Sequence, residues 1–282
     1  MPEKKNNHII PKCLIRQWNV EQELFSGVHV YELKDKKASF STGKGKREFS
    51  FAIEPYFYVP VINNERIYQV ENWLASIEGT LGTFIRKLNE DNEGTILKDK
   101  EEFTKLLLAL FSLKNRTKYD IQTIREFVNK NPDAKELIQM EENRETEIAV
   151  LENLINTTTE EAIEFSNCEI TVCKNRQGNI ILSDRPFLHN LFDGYSFVAL
   201  SPYFFISLRK TKEDPMYYYT DVLNEELIHF YNKMTAENSR HWIVSNSKEQ
   251  LEKYIPYSLV AKKDLVPYRQ EVRFLRNGYK II

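Results

Sequence analysis

Three carboxylates and a histidine are the residues of this sequence whose types and spacing could do chemistry. Glu71 and Glu78 are seven residues apart in a predicted helix, and because seven residues make about two turns, both side chains face the same way. Asp184 follows a short apolar run, and His8 lies near the start of the sequence. Such a set suits Mg²⁺ or Mn²⁺, which could polarise a phosphodiester and activate water. The predicted metal ligands are Glu71, Glu78 and Asp184.

A phosphate substrate would also need positive partners, which arginine supplies as a planar fork of donors. Arg116 follows an apolar helix, and we assign it to the catalytic set together with His8 and the three carboxylates. Arg16 and Arg240 are candidates for substrate binding. Asn232 is a third candidate, since its amide could orient a substrate or a ligand.

Each of these residues also has an ordinary structural explanation. Asp184, which precedes Arg185 and Pro186, could bond the backbone of its own turn. Arg116 at the end of a helix would complement the helix dipole. One interpretation unites the set, in which Glu71, Glu78, Arg116 and Asp184 form a buried ion-pair network that holds the helices to the β-structure. Such a network would look functional in mutants, because removing one member is costly.

The composition describes a globular protein with balanced charge. Of the 282 residues, 41% are hydrophobic and 12% aromatic, and the net charge is −2, which excludes a disordered chain and a wholly basic nucleic-acid binder. The three cysteines are too few for a disulfide framework. No leader-like apolar stretch and no run of about 20 apolar residues is visible. We therefore expect a cytoplasmic protein that does not enter a membrane.

The stretch that must position Asp184 is residues 179–186. Three consecutive apolar residues, Ile180, Ile181 and Leu182, indicate a short buried strand. Pro186 ends the ladder, because proline has no N–H to donate. Asp184 is therefore expected directly after the end of a rigid, buried strand.

Helical periodicity dominates the middle of the chain, and a period of two dominates on both sides. Apolar residues recur at three-to-four spacing in residues 65–92, 99–114, 119–130 and about 134–165. The predicted fold class is α+β, with a central helical bundle and short antiparallel β-structure before and after it. We predict a single domain, 1–282, with an N-terminal β-containing part (1–60), a helical part (61–165) and a C-terminal α+β part (166–282).

Two segments leave alternatives open. Residues 34–47 are rich in lysine and read as a solvated hairpin tip or as an arm that contacts phosphate. Their basic residues are Lys34, Lys36, Lys37, Lys44, Lys46 and Arg47. The long acidic helix within 134–165 fits a core helix better than a dimerising coiled coil, and a homo-oligomer stays open.

Several short motifs occur in a definite order along residues 7–250. They are His8-Ile-Ile-Pro11, Glu71 with Glu78, Arg116-Thr117, Ser183-Asp-Arg-Pro186, and Tyr231-Asn232 running to Arg240 and Ser245. This order resembles an uncharacterised family, the domain of unknown function 4238. Ile9, where an aromatic residue is more usual, and Arg185, where a small polar residue is common, depart from its pattern. The resemblance implies a role in bacterial anti-phage defence, without a mechanism or a catalytic residue.

Two functions therefore compete. In the first, the protein is a defence effector, a metal-dependent phosphodiesterase or nuclease that acts on nucleic acid through His8, Glu71, Glu78, Arg116 and Asp184. In the second, it is a non-catalytic sensor or binding module that recognises a phage component and signals by assembly. Convergence of the carboxylates in an open cleft would favour the enzyme, whereas burial against arginine would favour the network.

Overall fold

The structure is a computed structural model that describes residues 6–22, 25–45, 48–90, 100–130, 146–192, 194–221 and 224–260. Its helices are α1 (Lys12–Ile15), α2 (Gln69–Glu90), α3 (Lys100–Asn115), α4 (Lys118–Lys130), α5 (Thr146–Glu164), α6 (Glu225–Asn238) and α7 (Lys248–Ser258). The strands of the first half are β1 (Asn6–His8), β2 (Val20–Gln22), β3 (Phe25–Glu32), β4 (Lys37–Thr42), β5 (Ile53–Pro55), β6 (Val61–Ile62) and β7 (Glu65–Arg66). Those of the second half are β8 (Cys168–Lys174), β9 (Leu182–Ser183), β10 (Phe187–Phe192), β11 (Tyr195–Ser201), β12 (Phe204–Lys210), β13 (Met216–Asp221) and β14 (Trp242–Ser245).

Two five-stranded sheets dominate the β-structure of these residues. One sheet has the order β10-β11-β12-β8-β13, in which β13 runs parallel to β8 and the other neighbours are antiparallel. In the other sheet β2, β3, β14 and β9 are successive neighbours, and β4 also pairs with β3. The short pairs β1–β5 and β6–β7 are separate.

The predicted central helical bundle with short antiparallel β-structure on either side is wrong. The structure is a mixed α/β fold in which strands flank and intersperse the seven described helices. Strands distant in sequence pair directly, as Val30 of β3 lies opposite Val244 of β14. Hydrophobic periodicity reports the type of each local element, but it carries no information on which distant strands will pair.

The helices pack on the sheets rather than only on one another. Phe111 of α3 and Phe187 of β10 have ring centroids 5.3 Å apart. One continuous cluster of buried residues includes Leu81 of α2, Ile206 of β12 and Val244 of β14. Burial of this apolar surface against the strands is what holds the helical layer in place.

Several local predictions are confirmed and others are wrong. The helices predicted at 65–92, 99–114 and 119–130 are present as α2, α3 and α4. The hairpin tip predicted over residues 34–47 is wrong in its extent, because the turn that joins β3 to β4 is confined to residues 33–36 and residues 37–42 form β4 itself. Only Leu182 and Ser183 of the predicted buried strand belong to a strand, β9. The predictions for residues 46–47 and 134–145 lie outside the described residues.

The turn at residues 175–178 connects the two large sheets. It follows β8, which belongs to one sheet, and leads to β9, which pairs with β14 in the other. Gly178 has a φ of 64°, a conformation that glycine adopts without steric penalty. The chain therefore passes from one large sheet to the other here. Asp184 follows directly after β9, and the next residue, Arg185, contacts Asp120 of α4.

Candidate functional site

Arg116 lies at the centre of the polar contacts, in the two-residue connection between α3 and α4. Its side chain is fully buried, since the residue is only 1% exposed. Nη1 donates to Oε1 of Glu78 at 2.7 Å, and Nη2 donates to the main-chain oxygen of His8 at 2.7 Å. The hydroxyl of Tyr58 donates to the main-chain oxygen of Arg116 at 2.7 Å. Arg116 therefore ties α2 and β1 to the start of α4.

Burial fixes the protonation states in this cluster. It raises the pKa of Tyr58 to about 12, so the phenol keeps its proton and remains a donor at neutral pH. Burial alone lowers the pKa of Arg116, but Tyr58 and the carboxylate of Glu78 outweigh it, and this pKa ends above its ordinary value. A buried cation needs a counter-charge. Glu78, whose side chain is 31% exposed, supplies that charge from α2.

Glu71 and Glu78 do share one face of α2. Glu71 stands in the first turn of the helix, and the charges of both carboxylates raise the pKa of Tyr58. This agrees with the two-turn spacing in the sequence. The face that they share is directed towards the Tyr58–Arg116 cluster.

Glu48 connects two other predicted site residues, His8 and Arg16. Nε2 of His8 lies 3.4 Å from the main-chain oxygen of Glu48, and burial lowers the pKa of His8 to about 4. Nε of Arg16 donates to Oε1 of Glu48 at 2.7 Å, and Nζ of Lys12 donates to Oε2 at 3.1 Å. Burial raises the pKa of Glu48, but these two cations outweigh it and hold the pKa below its usual value.

Asp184 forms hydrogen bonds with the main chain at the start of β14. The residue is 2% exposed, and Oδ1 accepts hydrogen bonds from the main-chain N–H groups of Arg240 at 2.9 Å and Trp242 at 3.4 Å. The N–H of Asp184 donates to the oxygen of Trp242 at 3.3 Å. Oδ2 is buried and has no hydrogen-bond partner among the described residues. The carboxylate therefore caps backbone donors of a distant segment instead of its own turn.

Arg185 joins the C-terminal part of α6 to the N-terminus of α4. Its Nη1 donates to Oδ1 of Asn238 at 3.1 Å, and its Nη2 donates to Oδ1 of Asp120 at 3.1 Å. The guanidinium carbons of Arg185 and Arg240 lie 5.0 Å and 4.8 Å from the centroid of the Tyr119 ring. Both distances are within the range of cation–π attraction.

Sequence reasoning did not assign Arg185, Tyr119 and Asp120 to the site, although one signal was present. Thr117 and Asp120 have the spacing of a capping box at a helix start. Oγ1 of Thr117 donates to Oδ2 of Asp120, and the N–H of Asp120 donates to Oγ1 at 3.2 Å. Since Asp120 also accepts from Arg185, the capped start of α4 connects the Arg116 cluster to Asp184 and Arg240.

Asn232 is buried in α6 and contacts the segment before β9. Oδ1 accepts from the N–H of Ile181 at 3.0 Å, and Nδ2 donates to the oxygen of Asn179 at 2.8 Å. These bonds satisfy main-chain groups that no strand partner reaches. The amide thus fixes the main chain of residues 179–181, which leads to Asp184.

Comparison with known proteins places the chain in a family. The model of a family described as protein of unknown function (DUF4238) matches residues 6–249 of the 282. The chain belongs to this family. No curated protein and no solved structure is significantly similar to it. Among the described residues of this DUF4238 protein, no helix has the length and apolarity that crossing a membrane requires.

The predicted metal ligands are not gathered into a ligand shell in this DUF4238 protein. Within the described part of the chain, no group of three or more His, Cys, Asp or Glu is arranged to hold a metal ion. Glu78 is paired with Arg116, and Asp184 accepts main-chain hydrogen bonds. The structure therefore brings His8, Glu78 and Arg116 into one cluster, and Asp184 and Arg240 into a second one, which the start of α4 connects.

Proposed function

We propose that this protein is a non-catalytic sensor or binding module whose predicted catalytic residues form a structural polar network. The observation that supports this most strongly is the fully buried guanidinium of Arg116, which bonds Glu78 and the oxygen of His8. A catalytic arginine would have to present donors to a substrate. Here Nη1 and Nη2 both bond the protein itself.

The other predicted residues support the same conclusion. His8, with a pKa of about 4, would be a poor general base, because efficient bases titrate near the working pH. Arg16 is paired with Glu48, and Asn232 bonds main-chain groups. We propose that recognition takes place elsewhere on the molecule and that its target is a phage component, with assembly of several copies as the signal.

A second candidate function, the metal-dependent phosphodiesterase, remains a prediction. One observation favours it, because Oδ2 of Asp184 and Nε of Arg240 are both buried without a hydrogen-bond partner among the described residues. The two residues are in contact, because the main-chain N–H of Arg240 donates to Oδ1 of Asp184, and an acceptor and a donor left open on contacting residues are compatible with a bound polar molecule. The substrate would then be nucleic acid, with Mg²⁺ or Mn²⁺ as the cofactor.

A cleavage assay separates the two candidates. The purified protein is incubated with single-stranded and double-stranded DNA and RNA in Mg²⁺ or Mn²⁺, alongside Asp184→Asn. We expect no cleavage above the level of a chelator control for either protein. Metal-dependent cleavage that disappears in a folded Asp184→Asn variant would overturn the proposed function and establish the phosphodiesterase. Cleavage equal in both proteins would also overturn the non-catalytic proposal and would place the active site away from Asp184.

A further inference from the structure

The hairpin of β3 and β4 leaves part of one sheet face open to solvent. Because side chains alternate along a strand, Phe25, Gly27 and His29 of β3 share this face. Phe40 of β4 lies opposite His29 and therefore joins them. Phe25 is 64% exposed, whereas His29 and Phe40 are half-buried. These four residues form the open face of the sheet.

Gly27 gives the Phe40 ring its place on the open face. A methyl group built on Gly27 would lie 2.8 Å from Cε1 and 3.0 Å from Cζ of Phe40, and 2.2 Å from the main-chain oxygen of Ser41. Only glycine therefore allows the ring to lie so close to β3. Gly27 is two residues, roughly 7 Å, along β3 from Phe25. The face thus presents two phenyl rings as neighbours.

His29 adds a third ring, which carries no charge at pH 7. Its ring centroid lies 5.2 Å from that of Phe40. Burial lowers the pKa of His29 below its ordinary value of 6.5, so the imidazole is neutral. Lys248 and Glu249, at the start of α7, act on His29 with opposite signs. The open face itself is therefore aromatic and uncharged.

Positive charge stands at both ends of the open face. The turn between β3 and β4 carries Lys34 and Lys36 with one carboxylate, Asp35, and Lys44 follows the far end of β4. All four residues are exposed, and within the part of the chain that the structure describes none of them makes an ion pair. Three lysines against one aspartate leave an excess of two positive charges, which no protein carboxylate neutralises by contact.

Flat rings next to unpaired lysines suit one class of ligand. The bases of a single strand stack on aromatic side chains, while its phosphates bind lysine. In a duplex the bases already stack on one another, so their faces are not available. We propose that the open face binds single-stranded nucleic acid, with bases on Phe25 and Phe40 and phosphates at Lys36 and Lys44. This inference rests on the proposed function, in which the open face would be the recognition surface.

Fluorescence anisotropy with a labelled oligothymidylate of about 12 nucleotides tests the site. In EDTA and about 50 mM salt, the unsubstituted protein should bind it with a Kd on the order of 10 μM. A duplex of the same length should bind about fivefold more weakly, because its bases cannot stack on the rings. Absence of saturable oligothymidylate binding, or equal affinity for the duplex, would overturn the proposal.

The stacking assignment is tested with Phe25→Ala and a matched control. Phe25→Ala should weaken oligothymidylate binding about tenfold, because one stacking surface is lost. Phe25→Leu keeps an apolar side chain but no flat ring, and should weaken binding about fivefold. Tyr218→Ala removes another exposed aromatic ring, 50% exposed on β13 of the other large sheet, and should leave the Kd unchanged. Equal affinities of the Phe25→Ala and Tyr218→Ala variants would reject the open face.

The phosphate assignment is tested with Lys36→Asn and Lys212→Asn. Lys36 has a φ of 49°, a conformation that asparagine adopts more readily than lysine, so the substitution should not lower the Tm. It should weaken binding about threefold and reduce the slope of log Kd against log salt by about 0.7. Lys212 is exposed between β12 and β13, and its substitution should change neither quantity. An unaltered salt slope in Lys36→Asn would contradict the site.

Two provisions keep the result decisive. If Phe25→Ala lowers the Tm, shifts of the Gly27 and Phe40 amide resonances on adding oligothymidylate to the unsubstituted protein decide instead, and no shift there rejects the site. Because EDTA removes metal ions, cleavage does not interfere with these measurements. Failure to bind oligothymidylate would overturn the open face and leave the non-catalytic proposal standing, whereas cleavage in the separate assay would overturn that proposal whatever the binding result.

Discussion

Arg116, in the connection between α3 and α4, forms an ion pair with Glu78 of α2, with Nη1 and Oε1 2.7 Å apart. The two partners are unequally exposed, at 2% for the side chain of Arg116 and 31% for that of Glu78. Removal of Glu78 leaves a cation in the interior, whereas removal of Arg116 leaves a carboxylate that water can still reach. Removal of Glu78 and removal of Arg116 are therefore expected to lower the stability by different amounts.

Substitution of Glu78 by alanine should lower the free energy of unfolding by about 3–5 kcal/mol, because a buried charge loses its partner. The double substitution Arg116→Met with Glu78→Leu should recover part of this loss, since no charge is then left unpaired. Urea unfolding of the single and double variants measures both effects. Glu126→Ala, in the exposed pair with Lys130, is the control and should change stability by less than about 1 kcal/mol. If the losses of stability in Arg116→Met alone and Glu78→Leu alone add up strictly to the loss in the double variant, the pairing is contradicted.

Asp184→Ala should lower the free energy of unfolding by about 2–3 kcal/mol, because the N–H groups of Arg240 and Trp242 lose their buried acceptor. Asp184→Asn keeps one side-chain oxygen and should lose less. Thermal unfolding of the two variants gives the comparison. Equal loss in both would mean that the negative charge matters and not the acceptor geometry.

Acid should destabilise the protein through His8. Burial lowers the pKa of His8 from 6.5 to about 4 in the folded state, so the unfolded chain binds more protons between these values. The contribution is fully present above pH 6.5 and is lost as the pH falls from 6.5 through about 4. Its size is on the order of 2 kcal/mol after allowance for partial solvent screening.

Urea unfolding between pH 4.5 and 7.5, for the unsubstituted protein and His8→Asn, isolates this effect. The unsubstituted protein should lose more stability than the variant as the pH falls. Glu48, whose pKa is held below its usual value in the folded state, is present in both proteins, so its titration affects both curves and the difference between them reports His8. Parallel curves for the two proteins would rule out His8 as the source.

Arg185→Lys should lower the free energy of unfolding by about 1–2 kcal/mol, although the charge is kept. A single ammonium group cannot reproduce the fork that reaches Asn238 and Asp120 at 3.1 Å each. Hydrogen exchange should show faster opening of the first turn of α4 in this variant. Unchanged protection there would show that Arg185 does not hold the start of α4.

The sequence predicted the type of most long elements and one face of the site. Periodicity located α2, α3 and α4, and the two-turn spacing correctly placed Glu71 and Glu78 on one face. The pairing of β3 with β14 could not be read in this way, because it joins segments that share no local pattern. The strands β8 and β9 follow each other in the sequence but lie in different sheets, since β8 pairs with β12 and β13 and β9 pairs with β14.

The roles of the site residues depend on contacts that no spacing reveals. Asp184 directly follows a strand, as expected, but its Oδ1 accepts from the main-chain N–H groups of the distant Arg240 and Trp242. The helix α6 begins only at Glu225, because residues 216–221 before it add a parallel strand to β8. Both outcomes were decided by tertiary packing rather than by local propensity.

We propose that these polar residues form a scaffold and not a metal-dependent catalytic centre. Calorimetric titration of Mn²⁺ into the chelator-treated protein tests it most directly, with Glu78→Gln and Asp184→Asn as matched variants. The scaffold predicts no saturable Mn²⁺ binding tighter than about 1 mM that depends on either carboxylate. Stoichiometric binding in the unsubstituted protein that is lost in both folded variants would contradict the claim.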